Sequence, residues 1–127
     1  MSRALLTLAI GTVVAAIPAY AHHSFAAYYV EDQSVSIQGN VHEFQYRNPH
    51  AVLVVTAPDQ SGRMQKYEAE WAGPTRLERQ GITKDTLKPG DFVVVTGAPG
   101  RVATEYKVHL KGIHRPSDGW KWAGGRR

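Results

Sequence analysis

Residues 67–81, with the sequence YEAEWAGPTRLERQG, change from a strand pattern to a helix pattern at Gly73. Up to Trp71, apolar side chains alternate with charged ones, which predicts a half-buried strand. Pro74 then fits the first turn of a helix, and Gly81 fits the position just after its end. We therefore predict a strand over residues 63–71 followed by one short helix.

Four further segments have strand character, two on each side of this helix. Residues 34–46 alternate, with Gly39 as the expected place for a bulge, and residues 51–56 form a β-branched run expected to be buried on both faces. Strands over 92–97 and 105–113 follow the helix. Three strands, a short helix and two strands is the order of a small five-stranded OB-like Greek-key barrel, so the predicted fold class is all-β with one short helix. A two-sheet sandwich shares this strand count, but the position of the helix favours the barrel.

The first 21 residues have the three parts of a secretory signal. Arg3 supplies the charge, residues 4–17 are apolar, and Ala19-Tyr20-Ala21 supplies the small residues of a cleavage site. An uncleaved anchor is the alternative, although the apolar stretch is short for a membrane span. Cleavage after Ala21 predicts a periplasmic protein of 106 of the 127 residues. It would comprise an extended N-terminal arm, an OB-like barrel and a flexible, basic, Trp-containing tail (residues 22–33, 34–114 and 115–127).

Composition excludes several classes of function. The chain has no cysteine, which excludes thiolate zinc sites, iron–sulfur clusters and redox thiols. Loss of Arg3 with the signal lowers the net charge from +4 to +3, and part of this excess lies in the tail. Export and this small charge disfavour nucleic acid as a partner. No later stretch is long and apolar enough to suggest a membrane span.

The residues directly after the cleavage site predict a metal chelate. If His22 becomes the first residue, its α-amine, which has a reference pKa of about 8, and its imidazole can close a ring around an ion. An amine and imidazole completed by a further imidazole is a nitrogen set that suits Cu(II). We expect His50 to complete it, because His50 follows a rigid Asn-Pro turn and opens a buried strand. The predicted metal ligands are His22, His50 and, as an additional ligand, His23.

The other histidines are weaker candidates. His109 shares a strand face with Lys107 and Lys111, which would repel a cation, so we expect a solvated strand histidine there. His42 could join the site if its face meets the arm, and His114 lies near the tail. His22 and His23 could also be no more than hydrophilic residues tolerated at an exposed terminus.

The chain also resembles a family of small exported bacterial proteins classified only as a domain of unknown function. The resemblance rests on the His22–Ala27 start after the signal, Gly39, and four short motifs (Asn48–Ala51, Glu70-Trp71, Leu77–Gly81 and Leu87–Asp91). It covers essentially the whole chain after residue 21, apart from the Trp-rich tail. The resemblance implies a periplasmic β domain and brings no established activity.

Two functions follow as hypotheses. The first is a periplasmic copper-binding protein, a carrier rather than an enzyme, because no base or nucleophile stands out beside the predicted ligands. The second is a metal-free OB-type module that binds an oligosaccharide, a peptide or a periplasmic partner protein through aromatic residues such as Tyr28, Tyr29 and Trp71. The residues alone leave both open, and a copper oxidase or oxygenase is a more distant third hypothesis.

Overall fold

The structure, a computed structural model, describes residues 24–125. A four-residue helix, α1 (Phe25–Tyr28), precedes the strands β1 (Val35–Gln45), β2 (Val52–Pro58) and β3 (Met64–Glu70). A second short helix, α2 (Pro74–Arg79), and then β4 (Phe92–Pro99), a 3-10 helix (Ala103–Glu105), β5 (Lys107–Arg115) and β6 (Trp120–Ala123) complete the order. Each predicted strand and the predicted helix therefore exists, with ends shifted by one or two residues.

The first five strands close into a barrel. Their order is β3-β2-β1-β4-β5, and the parallel pairing of β3 with β5 joins the two edges. All other neighbours in the barrel are antiparallel. The predicted fold class, a small all-β barrel with one short helix before the last two barrel strands, is confirmed. Within residues 24–125, no helix has the length and apolar character needed to cross a membrane.

The barrel interior is filled by aliphatic side chains and one tryptophan. Strand β2 contributes Leu53 and Val55, β4 contributes Val93 and Val95, and β5 contributes Val108, all essentially without solvent exposure. Leu77 is the buried residue of α2, so this helix closes one end of the barrel. Trp71, directly after β3, is 1% exposed. A core of this kind stabilises a domain of about 100 residues without a disulfide.

Gly39 has a different role from the predicted one. The register shift between β1 and β2 lies between Val41 and Glu43, not at Gly39. A Cβ at Gly39 would lie 2.0 Å from the carbonyl oxygen of Thr56, so glycine is needed because the two strands approach closely there. The irregularity was predicted in the right strand but at the wrong residue.

The two ends of the described chain are more ordered than the sequence indicated. The arm, expected to be extended, forms α1, and Tyr29 bridges to Gly100, the residue directly after β4. The tail, expected to be flexible, forms β6, which pairs with the second half of β5. Trp122 explains this difference, because its indole packs on Trp71 at 5.0 Å between ring centroids and donates a 2.7 Å hydrogen bond to Gln80. The sequence did not predict β6, because its four residues are too few and too mixed in character to show the periodicity of a strand.

Candidate functional site

His50 is held by a carboxylate on the neighbouring strand. It follows a cis peptide bond between Asn48 and Pro49, and its Nδ1 lies 2.8 Å from Oε1 of Glu70, the last residue of β3. A carboxylate accepts hydrogen bonds and does not donate them, so this contact places the proton of a neutral imidazole on Nδ1. The lone pair of Nε2 then remains for another ligand, and the side chain is 34% exposed.

Tyr29 fixes the second oxygen of the same carboxylate. Its hydroxyl donates a 2.5 Å hydrogen bond to Oε2 of Glu70. The pKa of Tyr29 is raised above its ordinary value, mainly because the hydroxyl is buried. The hydrogen bond to Glu70 and the negative charge of that carboxylate raise it further. Tyr29 therefore stays a neutral donor across the physiological range and orients Glu70 towards His50.

A second pair of the same kind lies on β5. Nδ1 of His109 is 2.7 Å from Oε1 of Glu31, and Nζ of Lys111 is 2.6 Å from Oε2 of the same carboxylate. Burial alone would raise the pKa of Glu31, but the hydrogen bonds from Lys111 and His109 and their charges outweigh it and lower that pKa. The His109 side chain is 19% exposed, so the expectation of a solvated strand histidine was wrong.

The Phe25 ring connects the two histidine–glutamate pairs. It stacks on His109 with 3.7 Å between ring centroids and planes 2° apart, and it lies 5.2 Å from the ring of His50. The Tyr29 ring lies 5.6 Å from that of His109. Glu70 and His109 are also direct partners across the parallel seam of β3 and β5. The two pairs therefore form one cluster over this seam, covered by α1.

Two open cavities adjoin the cluster, and Phe25 lines both. The larger, of about 500 Å³, is lined by His50, Glu70, Tyr28 and Arg101 among others. The smaller, of about 370 Å³, is lined by aromatic and basic side chains, including His109, Trp71, Trp122, Arg76 and Lys111. Within residues 24–125 the buried indole N–H of Trp71 has no hydrogen-bond acceptor.

Of the three predicted metal ligands, His50 is the one that lies within the residues that the structure describes. His22 and His23, like the predicted signal, lie outside the described residues, so their proximity to His50 stays a prediction. Residues 24–125 contain no group of three or more histidine, aspartate or glutamate side chains arranged to hold a metal ion. A complete coordination sphere would therefore need ligands from outside this part of the chain. Of the remaining histidines, His42 is exposed on β1 and His114 lies near the end of β5.

A protein-family model described as a family of unknown function, DUF6152, matches residues 10–108. The chain belongs to DUF6152. The suspected resemblance to a family of unknown function is thereby confirmed. The match includes His50, Glu70, Phe25 and Glu31, and it ends one residue before His109.

Membership of DUF6152 supplies no activity, substrate or partner. No curated protein matches the chain. The chemistry of this DUF6152 member therefore has to be argued from the cluster at the β3–β5 seam.

The sequence analysis did not identify the two glutamates of this cluster, Glu70 and Glu31, as functional residues. Glu70 has the strand parity of an ordinary solvent-facing carboxylate, and Glu31 lies in a segment without a period. A signal for Glu70 was available, since a glutamate at the end of a strand that pairs with the His50 segment can reach it. Nothing comparable marks Glu31, because its contact with His109 spans 78 positions and depends on how the arm returns to β5.

Proposed function

We propose that the exported chain, cleaved after Ala21, is a periplasmic metal-binding protein for Cu(II). The ligands are the amine and imidazole of His22, the imidazole of His50 and, as an additional ligand, His23. A neutral imidazole and a deprotonated terminal amine are nitrogen donors of the kind that Cu(II) prefers. The proposal concerns a carrier, with no catalytic residue assigned.

The observation that carries this proposal is the geometry of His50. Metal-bound histidines commonly donate their second ring N–H to a carboxylate, which fixes the tautomer and makes the ring a better ligand. The His50–Glu70 contact of 2.8 Å, with Tyr29 on the other oxygen of Glu70, has this arrangement before any metal binds. His50 is thus preorganised to offer Nε2.

Chain length supports the participation of His22. Phe25 contacts the ring of His50, and it lies three residues after His22. Three residues of extended chain span at most about 10 Å, so a chain starting at His22 begins within reach of His50. Export is supported by the signal-like residues 1–21 and is compatible with a chain that has no cysteine.

Calorimetry with Cu(II) tests the proposal on the chain that begins at His22. Micromolar or tighter binding is expected, and it should weaken at least tenfold when one extra residue precedes His22 or when His50 is replaced in His50→Gln. His42→Gln is the matched control, since His42 is an exposed histidine on β1. Binding that is indifferent to the extra residue contradicts the chelate. Mass spectrometry of the protein from the periplasmic fraction checks the start of the chain.

The cavity beside His50 favours a second candidate, a binding module for an oligosaccharide or peptide. Tyr28 is 60% exposed there, whereas Tyr29 and Trp71 are buried, so Tyr28 is the predicted aromatic that remains available to a ligand. Metal-free protein on glycan and peptide arrays tests this candidate. Binding that Tyr28→Ala abolishes supports it, and Phe92→Ala, which removes another exposed aromatic side chain, is the control. Arrays without a hit contradict it.

A further inference from the structure

Three aromatic side chains form a wall of the smaller cavity. Phe25 of α1, Trp71 after β3 and Trp122 of β6 line its volume of about 370 Å³, which is in the usual range for a small-molecule site. Phe25 is held by its stack on His109, with 3.7 Å between ring centroids. Trp122 is held by its packing on Trp71 and by its 2.7 Å hydrogen bond to Gln80. The wall is therefore formed before any ligand binds, and it suits a flat ring.

The charges that line this cavity are all positive. Among its described lining residues Arg76 and Lys111 carry a charge, and none is an aspartate or a glutamate. Lys111 is already paired with Glu31, at 2.6 Å. The guanidinium of Arg76, an exposed residue of α2, makes no ion pair within residues 24–125. A guanidinium can bind a carboxylate through two parallel N–H bonds, so the cavity favours an anionic group near Arg76.

The larger cavity differs in charge. Arg101 and Lys107 line it, but Glu70 and Glu105 line it as well. Positive and negative side chains balance there, whereas the smaller cavity has no carboxylate among its described lining residues. Recognition of an anion is therefore expected in the smaller cavity and not in the larger one.

Trp71 adds a hydrogen-bond donor that the described chain does not use. It is 1% exposed, and its indole N–H has no acceptor within residues 24–125. A buried donor without an acceptor destabilises a protein, so such groups usually have a partner. A carboxylate oxygen is an acceptor of the kind that this donor lacks. The indole N–H of Trp71 and the guanidinium of Arg76, two residues that line one cavity, are thus complemented by the same ligand group.

We propose that the smaller cavity binds an aromatic carboxylate, that is, a flat ring bearing one carboxylate group. Arg76 binds the carboxylate, and the rings of Phe25 and Trp122 contact the ring of the ligand. Arg76 precedes Gln80 by four residues, which places both on the same side of α2, and Gln80 contacts Trp122. The carboxylate and the ring are thus recognised by neighbouring groups. This proposal goes beyond the Cu(II) site and does not depend on it.

Benzoate is the probe, and two-dimensional NMR of the metal-free protein is the measurement. The indole N–H signals of Trp71 and Trp122 should shift with a saturable dependence on benzoate concentration, with a Kd in the millimolar range or lower, as expected for so small a ligand. The signal of Trp120 should stay in place, because Trp120 contacts Arg115 and is not among the residues that line the cavity. Benzyl alcohol, which keeps the ring, and acetate, which keeps the carboxylate, should each bind at least about tenfold more weakly.

Arg76→Gln separates recognition of the anion from contact with the ring. It should weaken benzoate binding at least about tenfold and leave the weak binding of benzyl alcohol unchanged. Arg79→Gln is the matched control and should leave the Kd unchanged, because Arg79 is an exposed arginine of the same helix that does not line the cavity. Unshifted Trp71 and Trp122 signals, benzyl alcohol that binds as tightly as benzoate, or an Arg76→Gln variant with unchanged affinity each overturns the proposal. The first two results come from the wild-type protein, so they decide the matter even if Arg76→Gln fails to fold.

Discussion

Replacing Trp122 with alanine should destabilise the barrel, although Trp122 lies in a segment that the sequence predicts to be a flexible tail. The change removes a T-shaped contact with Trp71, with 5.0 Å between centroids and planes at 67°. Such pairs contribute about 0.5–1.5 kcal/mol. It also removes the 2.7 Å hydrogen bond to Gln80, which adds about 0.5–1.5 kcal/mol. The expected loss is about 1–3 kcal/mol, a fall in Tm of at least about 4 °C for a domain of this size.

Thermal unfolding followed by circular dichroism measures this loss. Lys121→Ala is the matched control, because Lys121 lies on the same strand, pairs with His114 and is exposed. It should change the Tm by less than about 2 °C, as surface substitutions commonly do. Trp71 fluorescence should shift to longer wavelength in Trp122→Ala, since Trp71 loses its cover. If both variants melt together with the wild type, β6 does not stabilise the barrel and the reasoning fails.

Three further outcomes follow from the structure. The lowered pKa of Glu31 means that its contacts stabilise the fold above about pH 4.5, its ordinary pKa, and that this is lost as pH falls through the lowered value. Urea unfolding should therefore show the difference between wild type and Glu31→Gln shrinking below pH 4.5; a constant difference contradicts this. Gly39→Ala should cost at least about 1–3 kcal/mol by urea unfolding, because its Cβ would meet the backbone of Thr56, and an unchanged midpoint refutes the close approach. Several hydrogen bonds lower the pKa of Asp59 to about 2, and the one from the Ser61 hydroxyl has the largest effect. Ser61→Ala should therefore raise the pKa of Asp59 in an NMR titration, and an unchanged pKa would contradict the contact.

The barrel could be predicted from the sequence because its elements are locally marked. The strands are predicted by alternating apolar residues and β-branched runs, and the helix by the signals from Pro74 to Gly81. In each case the local backbone preference agrees with the element that the fold contains. The choice of a barrel over a sandwich followed from one observation, the position of the helix between the third and fourth strands. The bulge at Gly39 could not be placed correctly, because a glycine in a strand marks either a bulge or a close approach, and only the position of Thr56 distinguishes them.

The cluster at the seam could be predicted only in part. His50 was recognised because a rigid turn and a buried strand fix its backbone, and its side chain does meet a carboxylate. His109 was dismissed because strand parity put two lysines on its face, and parity does not reveal that both lysines pair with glutamates. The arm could not be predicted at all, since α1 has four residues and depends on contacts with Gly100 and Arg101 after β4 and with His109 on β5.

The position of the cluster follows from how the barrel closes. The parallel pairing of β3 with β5 involves three residue pairs at the end of β3 and the start of β5, and Glu70 opposite His109 is the last of them. Beyond Glu70, β3 ends and the chain turns towards α2, so the edge of β5 is covered by the arm and by β6 instead. Polar groups at such a seam need partners. Glu31 and Tyr29 of the arm, together with His50, supply them at this seam.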